Sequence, residues 1–209
     1  MLITGIKSKP IYTPLSFDAS GRYHVLLGSG VGANLLLRVL AEMKKAAPQS
    51  ISHTRVLFLP ESAPETAAGA VPESVAAFRL SGIAEVRLFD SAATLLKDFH
   101  NLAIQSLMGT RLYVAGPESF IGLAMQIALQ FNLNQDEIRA EECGSLARRV
   151  FCIHCRAITD EVVTNIVRCT CQRWLLVRDH YSRRLAAYMG VMADAEAPGE
   201  LPEIKEVFR

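Results

Sequence analysis

Between residues 22 and 142, short apolar runs alternate with longer stretches in which apolar residues recur every three or four positions. The short runs predict buried strands at Tyr23–Leu27, Val56–Leu59, Val86–Phe89, Leu112–Val114 and Ile138–Ala140. The longer stretches predict helices at Asn34–Lys45, Val71–Leu80, Ala92–Met108 and Glu118–Phe131. Strands and helices that alternate with short connections form a parallel sheet covered on both faces, so we predict a doubly wound α/β domain.

The pattern changes at Cys143. Strands are predicted at Val162–Val167 and Trp174–Val177, cysteines separate them, and no helix of comparable length follows. The segment Asp194–Pro202 is acidic and contains Pro and Gly, which is typical of a covering strap. We therefore predict four parts, which are a lead-in (residues 1–21), the α/β domain (22–142), a small β domain resembling a zinc ribbon (143–192) and an acidic tail (193–209).

A formal net charge of +1 conceals an uneven charge distribution. A near-neutral chain argues against a protein that binds nucleic acid through overall basicity. Residues 143–190, however, hold eight arginines and all five cysteines, whereas residues 191–209 hold five acidic residues. Residues 1–14 lack the apolar core of a secretory signal, and Glu118 interrupts the longest apolar stretch. We therefore expect a cytoplasmic chain that does not enter a membrane.

Four cysteines have the spacing of a metal site. Cys152 and Cys155 form a C-x2-C pair, and Cys169 and Cys171 follow as a C-x-C pair. Four thiolates close a tetrahedral site with no open position, which predicts structural rather than catalytic zinc. An iron site and free, redox-active thiols are the alternatives, because the usual ribbon repeats C-x2-C in its second pair.

The other cysteine and the nearby histidines predict no second site. Cys143 fits a small buried residue after the last strand of the sheet. The five cysteines do not have the spacing of a plant-type [2Fe–2S] cluster. His154 and His180 could replace a cysteine as ligand, but solvent-facing or hydrogen-bonded roles are favoured. No motif of a hydrolase or metalloprotease is present, so we predict no catalytic residue in this chain.

The arginines around the cysteines predict a binding surface. Arginine is the preferred partner of carboxylates at protein interfaces, so a protein partner is favoured. Ribbons that carry arginines and aromatic residues also bind nucleic acid, and a plain solvated surface is the third possibility. The acidic tail could cover part of this surface.

A glycine-rich turn, Gly28-Ser29-Gly30-Val31-Gly32, joins the first predicted strand to the first helix. Glycines at such a turn allow the backbone to approach a pyrophosphate, and the helix N-terminus offers free N–H groups. The spacing matches neither G-x-G-x-x-G nor a P-loop, and a tight turn between packed elements also needs glycine. The residues alone leave nucleotide binding and packing open.

The run His24–Leu35 resembles the glycine-rich turn that opens the NAD(P)-binding domain of the ferredoxin-reductase superfamily. Leu112–Phe120 is similar to that superfamily's Cys-Gly-Pro-Glu turn, with Ala115 in place of the Cys, and Glu141 stands where the reductases place a terminal Glu. The resemblance implies NAD(P)H contacts from Gly28, Ser29, Gly30, Gly32, Gly116, Pro117 and Glu118. The lead-in is too short for a flavin-binding barrel, so we expect no independent reductase activity.

A second resemblance covers nearly the whole chain. The four cysteines, followed by Asp179–Gly190 and Asp194–Glu200, resemble the small A-type subunits of bacterial dimethylamine monooxygenase. This resemblance implies an enzyme that uses NADPH and O2 to N-demethylate dimethylamine to methylamine and formaldehyde. It also implies partner subunits that carry haem, and FMN with a [2Fe–2S] cluster.

We therefore expect a hetero-oligomer in which this chain, as an auxiliary subunit, organises the contact between its partners. A separate zinc-ribbon module that binds nucleic acid or another protein is the alternative.

Overall fold

The computed structural model describes residues 8–61, 73–83 and 85–209, which form two compact units. One unit contains residues 12–144, and the other contains residues 8–11 together with residues 145–209. The bounds of the four predicted parts stay predictions. Among the described residues, every helix is too short or too polar to cross a membrane.

The first unit is a parallel sheet with helices on both faces. Its strands are β1 (Tyr23–Ser29), β2 (Thr54–Leu59), β3 (Glu85–Leu88), β4 (Thr110–Gly116) and β5 (Ile138–Glu142). Its helices are α1 (Gly32–Ala46), α2 (Glu73–Leu80), α3 (Ala92–Ile104) and α4 (Glu118–Gln130), with 3-10 turns at Pro48–His53 and Gln135–Glu137. The strand order is β3-β2-β1-β4-β5, and all neighbouring pairs are parallel. The predicted α/β fold class is confirmed.

Alternate residues of β1 explain the two layers of core. Leu26 faces α1 and α2, whereas Leu27 faces α3 and α4, and both side chains are fully buried. A strand that is buried on both faces has a continuous run of apolar residues, and this run is the pattern that predicted β1.

The largest difference between a predicted helix and the structure lies at the end of α3. The helix predicted to reach Met108 ends at Ile104, and the Met108 side chain is 96% exposed. After Ile104 the N–H groups of Gln105 and Ser106 donate to the carbonyls of Leu102 and Ala103, which tightens the last turn, and Gly109, with φ of +82°, then turns the chain into β4. Of the helix predicted at Val71–Leu80, the first two residues lie outside the described part of the chain.

The segment before β1 is attached to the sheet by a partly buried carboxylate. Asp18 accepts hydrogen bonds from Ser20, Arg111 and Arg139, and its own N–H donates to the Tyr113 hydroxyl. Burial opposes ionisation of Asp18, but the hydrogen bonds outweigh it and hold the pKa of this carboxyl well below its ordinary value.

The second unit is a five-stranded sheet. Its strands are β6 (Arg148–Cys152), β7 (Ile158–Val162), β8 (Ile166–Arg168), β9 (Trp174–Ser182) and β10 (Ala187–Met192). They lie in the order β7-β6-β10-β9-β8, with β6 and β10 parallel and the other neighbours antiparallel. The small β domain is therefore present, although the sequence pattern predicted neither β6 nor β10.

The single strand predicted at Val162–Val167 is wrong, because β7 ends at Val162 and β8 begins at Ile166. The residues between them pair with the C-terminal tail instead. The N–H groups of Val207 and Phe208 donate to the carbonyl of Val163, at 2.9 and 3.0 Å. The tail thus lies against the β domain, and it takes the hydrogen bonds that would have continued the strand.

Candidate metal centre and nucleotide crevice

The first cysteine pair lies in a closed turn between β6 and β7. The N–H of Cys152 donates to the carbonyl of Ala157, and the N–H of Arg156 donates back to the carbonyl of Cys152, both at 2.9 Å. Arg156 has φ of +65°, which reverses the chain immediately after Cys155. The turn therefore presents both thiols on one side of the hairpin tip.

The second pair lies in a turn of the same design between β8 and β9. The N–H of Cys169 donates to the carbonyl of Arg173 at 2.9 Å, and the N–H of Gln172 donates to the carbonyl of Cys169 at 2.8 Å. Gln172, with φ of +68°, follows Cys171 as Arg156 follows Cys155. The second turn is one residue shorter, which explains why C-x-C stands where a C-x2-C pair was expected.

The two turns bring the four thiols together. All four Sγ atoms lie within 4.8 Å of one another, with Cys152 3.9 Å from Cys171 and Cys155 3.4 Å from Cys169. A tetrahedral zinc ion with Zn–S bonds of about 2.3 Å requires S···S separations of about 3.8 Å. The donor set and its spacing therefore fit a four-thiolate metal ion.

The environment of the thiols combines burial with backbone donors. Cys152 and Cys169 are buried against Leu175, and burial raises the pKa of Cys169 to about 11. The backbone N–H of Arg173 lowers the pKa of Cys171 to about 6, and that of Ala157 lowers the pKa of Cys155. Each turn thus supplies an N–H group that stabilises a thiolate, as a metal ligand requires.

The fifth cysteine and the two histidines lie outside this group. Cys143 is half-buried in the α/β unit, and burial, with help from Glu141 and Glu142, raises its pKa. His154 is exposed, and His180 is exposed with its Nδ1 3.4 Å from the hydroxyl of Ser8. Among the described residues, the possible metal ligands cluster only at the four cysteines.

Several of the eight arginines make contacts within the β domain. The guanidinium of Arg148 lies between the rings of Tyr188 and Phe208, 4.0 and 3.7 Å from their centroids, and pairs with Asp179 at 3.0 Å. Arg149 pairs with Asp160 at 2.7 Å. The predicted basic surface is therefore smaller than the sequence suggested, and the tail covers part of it through Phe208.

In the α/β unit, the structure brings the predicted nucleotide residues together. β1 and β4 are neighbours, with Gly28 opposite Ala115, so the turns that follow them lie side by side. The strand order reverses direction between these two strands, and ligands of open α/β sheets bind at such a switch point. We call the space beyond Ser29 and Gly116 the switch-point crevice.

Packing accounts for one of the glycines beside this crevice. A Cβ at Gly32 would lie 2.6 Å from the carbonyl oxygen of Ala115, and one at Gly116 would lie 2.7 Å from the hydroxyl of Ser29. One at Gly28 would lie 2.7 Å from the Leu36 side chain. Close packing of α1 against β4 therefore requires Gly32 whether or not a ligand binds, because the Ala115 carbonyl is backbone, whereas the ends of the Leu36 and Ser29 side chains can shift.

The fold and the cysteine cluster together define a class of protein in which a parallel α/β domain is followed by a small β domain with four clustered cysteines. Residues 4–138 match the family described as "Dimethylamine monooxygenase subunit DmmA-like, N-terminal domain". Residues 149–191 match the corresponding C-terminal domain. The chain belongs to this DmmA-like family, which confirms the resemblance found in the sequence.

A curated relative is the heme-dependent oxidative N-demethylase delta subunit of Ectopseudomonas mendocina (strain ymp). It is 35% identical over 111 residues, which cover 53% of this chain and 63% of the relative. The chain thus matches less than two thirds of that protein.

Two solved structures also align with the chain. The flavohem-like FAD/NAD-binding domain of nitric oxide dioxygenase from Vibrio cholerae O1 biovar El Tor has 21% identity and a TM-score of 0.41, covering 59% of this chain and 52% of that domain. The ferredoxin reductase of carbazole 1,9a-dioxygenase has 11% identity and a TM-score of 0.42, covering 63% of this chain and 34% of that one.

Proposed function

We propose that the chain is an auxiliary subunit of an oxidoreductase complex that carries out haem-dependent oxidative N-demethylation. The observation that carries this proposal is the match of both parts of the chain to a family of monooxygenase subunits. The name of the curated relative, a delta subunit, supports it. The proposed reaction converts dimethylamine to methylamine and formaldehyde with NADPH and O2, in the cytoplasm.

We propose that the reaction takes place in partner subunits, one carrying haem and one carrying FMN with a [2Fe–2S] cluster. Four thiolates would fill all the coordination positions of a tetrahedral metal in this chain. Such a metal would have no position at which to bind substrate or water. The contribution of this chain is then to hold its partners in contact.

Structural zinc is the metal we assign to Cys152, Cys155, Cys169 and Cys171. When bound, zinc supplies no redox chemistry and fixes the geometry of its ligands. In this β domain it joins the turn after β6 to the turn after β8, two segments that are far apart in sequence. The rigid tip so formed is suited to recognition.

Exposed side chains around this tip have the composition of a protein-binding surface. Ile153 is 45% exposed within the first turn, and Arg156 beside it is exposed. An apolar side chain next to an arginine that is free to meet a carboxylate is typical of interface centres. We therefore propose that the two cysteine turns, with Ile153 and Arg156, contact acidic residues on the surface of a partner subunit.

The test is to purify a tagged haem subunit co-expressed with this chain, and to measure formaldehyde formation against NADPH oxidation. We expect the chain to co-elute, and coupled turnover to require it. Arg156→Glu should weaken co-elution, whereas Arg79→Glu, the same charge change on exposed residue 79 of α2, should not. The proposal fails if the chain elutes alone and the other subunits reach full coupled turnover without it.

A further inference from the structure

We infer that the switch-point crevice does not bind a dinucleotide, because the chain fills it with its own segments. The fold resembles NAD(P)-binding domains, so a cofactor would be expected beside the glycine-rich turn. Binding there requires free N–H groups, space over the glycines and a surface that tolerates the charge of a pyrophosphate. The structure departs from each of these requirements.

Three N–H groups at the turn donate hydrogen bonds within the chain. The N–H of Gly30 donates to the carbonyl of Leu59 at 2.9 Å. In the first turn of α1, Ala33 donates to the carbonyl of Gly30 and Asn34 to that of Val31, both at 3.3 Å. Three of the donors that would face a phosphate therefore already have acceptors within the chain.

A carboxylate lies over the turn. Gly30 has φ of +53°, and a Cβ at this residue would be 2.9 Å from Oε1 of Glu61. Glu61 follows β2, the neighbour of β1 at the same edge of the sheet. Because like charges repel, a carboxylate at the closest approach to Gly30 disfavours a pyrophosphate in the same place. The glycine-rich motif alone does not point to Glu61.

The segment after β5 crosses the mouth of the crevice. The N–H of Cys143 donates to the carbonyl of Gly116 at 3.0 Å. Gly144 then passes close to both turns. A Cβ built at Gly144 would lie 3.6 Å from Val31 Cγ2 and 3.8 Å from Pro117 Cγ. Backbone atoms therefore bridge the tips of the two turns between which a dinucleotide would have to lie.

Glu141, which stands where the reductases place a terminal Glu, already has partners within the chain. Glu141 accepts a hydrogen bond from the N–H of Leu15 at 2.6 Å and pairs with Arg38 of α1. Its carboxylate thus holds the segment before β1 against the domain. Together with Glu61 and the Cys143–Gly144 segment, this contact means that segments of the chain itself fill the switch-point crevice of the α/β unit.

The test uses the full chain labelled with 15N, titrated with NADPH and separately with NADH. Amide signals of Gly30, Gly32 and Gly116 should not shift saturably up to about 10 mM, a concentration at which even millimolar affinity would be visible. The purified reductase partner, treated identically, shows that the cofactors bind where a site exists.

Hydrogen exchange gives a second readout without any cofactor. The amide of Cys143 should exchange slowly in the free chain, because Gly116 holds it, and NADPH should not change its rate. Saturable shifts at Gly30 and Gly32, or rapid exchange of Cys143 that becomes slow only with NADPH, would overturn the inference. Neither result bears on whether the chain assembles with its partners.

Discussion

Replacing Cys152 by Ser tests whether metal binding holds the β domain together. Cys152 is completely buried, packs with Cys169 and Leu175, and is one of the four clustered thiols. The change removes one of four thiolates and places a hydroxyl in an apolar environment. We expect Cys152→Ser to abolish zinc binding, while the α/β unit keeps its structure.

The magnitude follows from the size of the core. The buried apolar clusters of this unit are small, with Val150, Val162, Val177 and Tyr188 in one and Cys152, Cys169 and Leu175 in the other. Structural zinc contributes an apparent folding free energy of about 10–16 kcal/mol in small peptides, against about 5–15 kcal/mol of net stability for a typical domain. Loss of the metal should therefore unfold the β domain.

Two spectroscopic signals separate the units. Trp174, the single tryptophan, begins β9 beside the second cysteine turn, whereas the α-helices of the described chain all lie within residues 12–144. Cys152→Ser should shift the Trp174 emission to the red and reduce zinc, measured by plasma mass spectrometry, from about one per chain to near zero. Circular dichroism at 222 nm should change little.

Cys143→Ser is the matched control, because Cys143 lies in the α/β unit outside the cluster. It should keep both the zinc and the Trp174 emission. Full zinc content in Cys152→Ser, or equal zinc loss in Cys143→Ser, would refute the assignment of the ligands.

Three further changes test the packing contacts. Gly32→Ala should destabilise the α/β unit by about 1–3 kcal/mol in urea unfolding followed at 222 nm, because the new methyl meets the Ala115 carbonyl; an unchanged midpoint would contradict this. Asp18→Asn should cost about 1–3 kcal/mol at pH 7. Because the pKa of Asp18 is lowered in the folded state, its stabilisation is fully present above the ordinary carboxyl pKa of about 4 and is lost progressively as the pH falls from there towards the lowered pKa; a stability difference that does not narrow over this range would contradict the contact. Phe208→Ala should destabilise the β domain by about 1–2 kcal/mol, because Arg148 loses one of its two aromatic neighbours; tryptophan emission during urea unfolding measures this, and equal stability would argue against the contact.

The sequence predicted the α/β sheet well because its central strands, β1, β2 and β4, are mostly buried on both faces. Such strands are continuous apolar runs, and the helices between them have apolar residues at regular spacing. The β domain was harder to predict because its strands are short and partly exposed. β6, for example, alternates buried and half-buried residues over only Arg148–Cys152. Tail pairing at Val163 also has no signature in local periodicity.

The cysteine spacing predicted the cluster, since two close pairs on hairpin turns can converge in few ways. The fate of the glycine-rich turn could not be predicted in the same manner. Glu61 and Gly144 reach the crevice from other strands of the sheet, and only the three-dimensional register places them there. A local motif describes the backbone at a site but not what the rest of the chain places above it.

We propose above that this chain brings a reductase subunit and a haem subunit into productive contact. The direct measurement is the rate of haem reduction in stopped-flow mixing of the NADPH-reduced reductase subunit with the haem subunit, with and without the chain. We expect one equivalent of the chain to raise the rate of haem reduction at least about tenfold. This factor corresponds to about 1.4 kcal/mol of activation free energy. A rate that is the same with and without the chain would contradict this proposal.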